Sequence, residues 1–157
     1  MFNYFHAIEF SAAGQLIKNS TWAFAVIESI HLLALAVIGG AVLVVDLRML
    51  GFGLRRQSVA ELARDAQPIL VSSLAVMLLT GLMLFMSEAV KCYYSTPFWV
   101  KMSSLALAIL YTFTIRRKVT RADEGSYSRF GYGAVALLSL TLWFAVGAAG
   151  RWVGFSG

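Results

Sequence analysis

The stretch Thr21–Val45, TWAFAVIESIHLLALAVIGGAVLVV, decides the fold of this chain. An α-helix needs about 20 apolar residues to cross the hydrocarbon core of a bilayer, and this stretch is long enough. It nevertheless carries His31 near its middle and Glu28 one helical turn earlier. An ionisable group at membrane depth is costly to keep there, so we interpret His31 as the centre of a candidate functional site.

Composition places the rest of the chain in the same solvent. The protein has 157 residues, 59 % of them hydrophobic and 13 % charged, and a mean hydropathy of +0.75. Soluble domains carry about 25 % charged residues, so this composition indicates a membrane protein. Four apolar segments predict spans at approximately 21–45, 69–87, 98–115 and 131–150. The continuous runs favour helices over barrel strands and predict one all-α domain over residues 1–157, a transmembrane four-helix bundle.

The distribution of basic residues predicts the orientation of the bundle. The first and third connections hold Arg48, Arg55, Arg56, Arg64, Arg116, Arg117, Lys118, Arg121 and Arg129. Cytoplasmic loops of membrane proteins are enriched in lysine and arginine. We therefore expect a bacterial inner-membrane protein with both termini in the periplasm. The net charge of +5 then reflects topology and attraction to anionic lipids, and it indicates no nucleic-acid partner.

Segments outside the spans have recognisable local signals. Residues 2–17 are amphipathic and predict a helix lying on the membrane surface. The stretch Ser58–Ala66 predicts a short separate helix before Pro68, with Ser58 and Glu61 spaced as a capping box. The polar stretch Thr120–Ser128 predicts a loop.

Several roles for His31 stay open at the level of sequence. The imidazole can hydrogen-bond Glu28 or a serine of a neighbouring helix and so fix the packing. It can instead ligate a metal, haem iron first and copper as the alternative, with a further partner orienting its other nitrogen. A proton relay through Glu28 and His31 is a third possibility. Gly39 and Gly40 follow within three turns and let a backbone or a flat ring approach closely.

A second metal ligand is harder to find in the sequence. The only other histidine, His6, lies outside the spans. The candidates are therefore a methionine or the same histidine of another subunit. Met83 and Met86 share a face of the second span, and their thioethers would also suit Cu(I).

A cluster of charges is predicted near the opposite end of the bundle from the basic connections. Lys91 and Lys101 are expected to extend their ammonium groups to the membrane surface. Arg151 follows a long uncharged run and is predicted to pair with Glu28 or Glu88, or to hold an anionic group such as a haem propionate.

Several motifs carry a family resemblance. The segments ESIHLLALAVIGG at 28–40, VVDLRMLG at 44–51, FWVKM at 98–102 and GRW at 150–152 resemble a proteobacterial family of small four-helix inner-membrane proteins of unassigned function. His31 followed by Gly39 and Gly40 is also similar to the copper-resistance D family and the haem-binding membrane protoporphyrinogen oxidase. This second similarity implies haem or copper at His31.

The sequence thus predicts a haem b-binding membrane protein or subunit with a role in electron transfer. His31 would be the axial ligand, and the expected partners are a quinone or redox protein and further copies of the chain or a larger complex. A rival prediction is a cofactor-free structural subunit, and another is a copper or small-solute permease. No nucleophile–base pair, metalloprotease spacing or phosphate loop occurs, so no catalytic residue is assigned.

Overall fold

The part of the chain described by the computed structural model, residues 1–53, 56–123 and 125–155, is helical and contains no strand. A π-helical turn, Thr112–Arg116, joins the sixth helix to the seventh. In chain order the helices are α1 Phe2–Glu9, α2 Ala12–Asn19, α3 Thr21–Leu50, α4 Val59–Ser87, α5 Ala89–Tyr94, α6 Thr96–Tyr111, α7 Arg117–Arg121 and α8 Arg129–Phe155. The predicted all-α four-helix bundle is confirmed.

Four of the described helical segments are long and apolar enough to cross a membrane: Thr21–Leu50, Val59–Ser87, Thr96–Arg121 and Arg129–Phe155. Large apolar side chains also cover the outside of the bundle, among them Leu33, Leu79, Leu110 and Phe144. Helices that are apolar on all sides are suited to lipid rather than water. The chain is a multi-pass membrane protein.

The long helices pack as two pairs, α3 with α4 and α6 with α8, and α3 also packs against α8. The backbone of α6 is farther from those of α3 and α4, and it reaches them through side chains such as Phe98, which stacks on Phe85. A central core joins the four, with Ile38 from α3, Leu74 from α4, Leu105 from α6 and Val146 from α8. α3 and α6 run in the same direction, so their first turns lie at one end of the bundle, with α1 and α2. We call this the N-terminal end and the opposite one the arginine-rich end.

The structure extends the second span beyond the prediction. Ser58–Ala66 is not a separate helix, because α4 runs without interruption from Val59 to Ser87 with Pro68 inside it. The predicted capping box is confirmed, with Ser58 Oγ accepting from the Glu61 amide at 3.1 Å and Glu61 accepting from the Ser58 amide at 3.2 Å. Proline costs one backbone hydrogen bond. Leu62 and Leu70 are buried on either side of it and hold both halves against the bundle.

Glycines in the left-handed region shape the arginine-rich end. Gly51 has φ +89° and ends α3, with the Phe52 amide donating back to the Leu47 carbonyl at 2.9 Å. Gly125, with φ +88°, lies in the predicted loop that follows α7. Arg55, in the first basic connection, and Glu124, in the loop, lie outside the described residues.

The N-terminal segment forms two helices instead of the single one expected. Ser11 divides them, because its hydroxyl accepts from the Gly14 amide at 3.2 Å and donates to the Ile8 carbonyl at 2.6 Å. α1 then packs on α5, and α2 packs on α4. A single straight helix could not reach both neighbours.

Glu9 anchors this segment to the bundle. Its buried carboxylate accepts from Lys18 and, at 2.7 Å, from the backbone amide of Val90 at the start of α5. Burial acts to raise the pKa of Glu9, but these donors outweigh it and hold the pKa below its ordinary value. The anchor therefore stabilises the fold above that ordinary pKa, and its contribution is lost as pH falls through the lowered pKa.

Replacing Gly14 by alanine should loosen the contact between α2 and α4. A Cβ at this position would lie 2.6 Å from the Met86 carbonyl oxygen and 2.7 Å from that of Glu9, so backbone must move. We expect a loss of about 1–3 kcal/mol in the free energy of unfolding, measured by denaturant titration in detergent micelles. Gly154→Ala is the matched control, because nothing lies within 4 Å of its Cβ. Equal effects of the two substitutions would contradict the close approach.

Candidate functional site

His31 is buried where α3 faces α4, and hydrogen bonds define its tautomer. Its Nδ1 lies 3.0 Å from the Met77 carbonyl oxygen and 3.1 Å from Thr80 Oγ1. The Thr80 hydroxyl donates to the Val76 carbonyl at 2.7 Å, so it accepts from the imidazole. Both neighbours of Nδ1 are therefore acceptors. We assign the proton to Nδ1, which leaves the lone pair on Nε2.

Lys101 of α6 covers that lone pair. Its Nζ lies 3.4 Å from His31 Nε2, and the ammonium is the donor in this contact. Lys101 is half-buried, so it does not simply extend to the membrane surface as predicted. In the described part of the chain it forms no ion pair with a carboxylate.

Two glycines make room for these side chains. A Cβ at Gly81 of α4 would come within 3.1 Å of His31 Cε1, so the absence of a side chain lets the ring lie against the helix. A Cβ at Gly150 of α8 would lie 3.5 Å from Lys101 Cε. The site is thus built from all four long helices.

Cys92 of α5 lies between this site and the N-terminal end of the bundle. It is buried and within electrostatic range of Lys101. Burial, followed by the negative charge of Glu88, raises the pKa of its thiol to about 11. The thiol therefore stays protonated and poorly nucleophilic at neutral pH.

The other residues predicted for the first span are on different surfaces. Glu28 is exposed and forms no hydrogen bond with His31 among the described contacts, so a direct Glu28–His31 relay is not formed. Gly39 and Gly40 have open space where a Cβ would be. Gly39 lines an apolar groove between α3 and α8, and the lining of this groove does not include His31.

The two candidate methionine ligands point away from His31. Met83 is 41 % exposed. At 100° per residue it lies about 200° around α4 from Gly81, which faces the imidazole. Met86, five residues after Gly81, lies about 140° around α4 from it. The described residues contain no group of three or more His, Cys, Asp and Glu side chains that could hold a metal ion.

Arg151 does not form either ion pair expected for it. Its guanidinium lies 4.4 Å from the centre of the Phe155 ring, one turn further along α8. Glu88 pairs with Lys91 of its own segment at 3.8 Å, and Glu28 has no ion pair in the described ranges. The attraction between a guanidinium and an aromatic face explains the position of Arg151.

A second polar cluster lies in the arginine-rich half of the bundle. Arg116 Nε donates to Asp46 Oδ1 at 3.0 Å, and both side chains are buried. Arg116 Nη2 also donates to the Val42 carbonyl at 3.4 Å. Asp46 Oδ2 and Ser139 Oγ have no hydrogen-bond partner among the described residues. The sequence placed Arg116 in a connection, whereas it belongs to the membrane-spanning segment.

The π-helical turn explains how Arg116 reaches the interior. Thr112, at its start, accepts a hydrogen bond from Trp143 Nε1 at 3.1 Å. Tyr111, just before the turn, donates to the Val135 carbonyl at 2.9 Å. A π-turn inserts one extra residue and rotates the residues after it about the helix axis, and such turns are frequent at functional sites. Here it directs Arg116 to Asp46.

Sequence reasoning missed Thr80, Gly81 and Lys101 as the surroundings of His31. One numerical signal was present: Lys101 is 70 positions after His31, and Arg116 is 70 positions after Asp46. When two parallel helices each carry two polar residues at the same spacing, these residues are predicted to meet in two pairs, one further along the bundle than the other. A serine of a neighbouring helix was the predicted partner of His31, but Ser73 donates to the Ile69 carbonyl and Ser103 donates to that of Trp99.

Comparison with known proteins gives a family and nothing finer. Residues 4–156 match the model of DUF6644, a family of unknown function, and the chain belongs to that family. No curated protein and no solved structure matches the chain. The similarity to the copper-resistance D family and to protoporphyrinogen oxidase stays a prediction.

Replacing one partner of the buried ion pair should destabilise the protein more than replacing both partners by apolar residues. We expect Arg116→Met to lower the free energy of unfolding by about 3–5 kcal/mol, because it leaves a buried carboxylate without its partner. The double variant Asp46→Leu/Arg116→Met should recover most of that loss. Denaturant titration in detergent, analysed as a double-mutant cycle, measures the coupling.

The control for this cycle is Lys118→Met. Lys118 is exposed on α7, two positions from Arg116, and its replacement should change stability by less than about 0.5 kcal/mol. If the double variant loses as much free energy of unfolding as Asp46→Leu and Arg116→Met lose together, the two side chains are not coupled.

Proposed function

We propose that this protein is a haem b-binding membrane protein or subunit with a role in electron transfer, and that His31 is the axial ligand. The observation that supports it is the state of the imidazole. Nδ1–H is held by the Met77 carbonyl and Thr80, which leaves the Nε2 lone pair directed toward α6. Histidines that bind metals commonly donate their other N–H in this way, because the bond fixes the tautomer and orients the ring.

Space for a ligand at Nε2 depends on Lys101. On one side α4 and α6 are joined by the stacked rings of Phe85 and Phe98, whose centroids are 5.7 Å apart. Lys101 covers Nε2 and must move aside for iron to bind there. Its four-carbon stem is flexible, and its ammonium can pair with a carboxylate. We therefore assign the propionate-binding role to Lys101 as well as to Arg151.

A haem at His31 supplies a reversible one-electron centre, and the protein provides the axial nitrogen and the apolar surroundings. Neither Met83 nor Met86 lies beside the imidazole, so His31 alone would hold the iron within one chain, and any further protein ligand would come from another subunit. A ligand from another subunit agrees with the predicted homo-oligomer or larger complex. Gly39 and Gly147 line an apolar groove of about 610 Å³ between α3 and α8, where a helix of a second copy can approach closely.

The orientation is part of the same proposal. The basic residues of the described chain are concentrated at one end of the bundle, which favours a cytoplasmic position for that end. Both termini are then periplasmic in a bacterial inner membrane, and His31 lies about 15 Å along α3 from its periplasmic start. Electrons would be exchanged with a quinone in the bilayer or with a protein partner.

The absorption spectrum of the purified protein tests haem binding. Protein expressed in haem-replete bacteria should show a Soret band, with sharper α and β bands after reduction by dithionite. His31→Ala should remove these bands, because it deletes the axial nitrogen. His6→Ala is the matched control and should retain them, since His6 lies in α1, stacked on Phe10. A colourless wild-type protein, or a pigment that survives His31→Ala, would overturn the proposal.

A cofactor-free structural subunit is the second candidate, and the Lys101–His31 contact favours it. This contact joins α6 to α3 near the N-terminal end, where the two helices have few other contacts. In this alternative the polar pair replaces the apolar packing that is missing there, and assembly is the function.

Lys101→Met separates the two candidates. If His31 and Lys101 serve only packing, each single variant should lower the free energy of unfolding by about 1–3 kcal/mol, and the double variant should lose little more. If His31 binds haem, Lys101→Met should weaken haem binding but retain the Soret band, whereas His31→Ala should remove it. Lys91→Met is the control, because Lys91 is exposed and paired with Glu88.

A further inference from the structure

A basic pocket lies between α4 and α7 at the arginine-rich end of the bundle. Its volume is about 670 Å³. Its walls come from the first half of α4 and from the two ends of α7, far from His31. The lining residues are Ala60, Ala63, Arg64, Gln67, Pro68, Val71, Arg117, Thr120 and Arg121.

Three guanidinium groups dominate the chemistry of this pocket. Arg64 is on α4, and Arg117 and Arg121 are on α7, one helical turn apart. None of the three forms an ion pair within the described ranges of the chain. Guanidinium groups present paired N–H donors that match the oxygens of a phosphate group. The pocket is therefore suited to an anion.

The acidic groups nearby do not neutralise these arginines. Glu61 is engaged in the capping box with the Ser58 amide. Asp65 is exposed next to Arg64 and does not line the pocket. Asp123 follows α7 and is also exposed outside the lining. The local charge remains positive.

The far wall of the pocket is apolar. From Arg64 to Val71 the lining descends about 10 Å along α4 toward the membrane interior, and it passes Gln67 and Pro68. Leu78, two turns after Val71, continues this exposed apolar surface on the same face of α4. An occupant of this pocket is thus offered positive charge at one end and a hydrocarbon-like surface at the other.

We infer that this pocket binds the headgroup of an anionic phospholipid, with the acyl chains lying along α4. The combination of arginines above an apolar wall matches an amphiphile and not a free inorganic anion. Basic pockets between spanning helices on the cytoplasmic side are suited to such headgroups. The predicted orientation places this end of the bundle on that side. A neighbouring pocket that contains Arg48 and Arg129 also includes Ala60, and it extends the positive surface.

Native mass spectrometry of the full chain in detergent tests the inference. Phosphatidylglycerol and phosphatidylcholine with identical acyl chains are titrated against the same preparation. Wild-type protein should bind phosphatidylglycerol more tightly. Arg117→Gln/Arg121→Gln should weaken that binding about fivefold for each arginine, and leave binding of phosphatidylcholine unchanged. Arg64→Gln tests the α4 wall independently.

Lys118→Gln is the matched control, because Lys118 is exposed on α7 and does not line the pocket. It should retain the preference of the wild type. Equal binding of the two lipids by wild-type protein would overturn the inference, as would a loss for Lys118→Gln as large as that for the double variant. Displacement of phosphatidylglycerol by millimolar inorganic phosphate would also overturn it and identify a site for free anions.

Discussion

The ion pair between Asp46 and Arg116 is the contact on which the arrangement of the bundle depends. In hydrocarbon there is no water to solvate an isolated charge, so each of these side chains requires the other. α3 and α6 have few other contacts, and the pair fixes how far one helix is displaced along the other. The π-helical turn before Arg116 is understandable on this basis, because it rotates the guanidinium inward.

The register set by that pair also determines the surroundings of His31. Fifteen residues separate His31 from Asp46 on α3, and the same number separate Lys101 from Arg116 on α6. At 1.5 Å per residue the two polar levels are about 22 Å apart. The apolar core of Ile38, Val42, Leu74 and their neighbours fills the space between them. The His31 site is consequently closed toward the arginine-rich end and lies near the N-terminal one.

This arrangement separates two kinds of chemistry within a small chain. A buried imidazole whose Nε2 keeps its lone pair lies at one end, where glycines on α4 and α8 provide space around it. Arginines gather at the other end around a pocket with an apolar wall. The first feature supports the proposed cofactor site, and the second supports the proposed lipid site. Membership of DUF6644 leaves both assignments to experiment.

Local features of the sequence were reliable because they depend on near neighbours. The number of spans follows from apolar length, and the capping box at Ser58 follows from a spacing of three residues. Helix boundaries were less predictable. Pro68 suggested a break, but burial of Leu62 and Leu70 kept α4 continuous. Ser11 divided the N-terminal segment, since docking of α1 and α2 on different helices favours a bend there.

The sequence by itself determined that this is a four-span membrane protein with a histidine at membrane depth. The length of an apolar run and the charges within it can be read directly from consecutive residues. Only the tertiary structure decided which groups meet that histidine. Thr80 and Lys101 lie 49 and 70 positions away from it, and their approach depends on the relative displacement of three helices. That displacement is set by packing and by the buried ion pair, and neither is visible in any local stretch of residues.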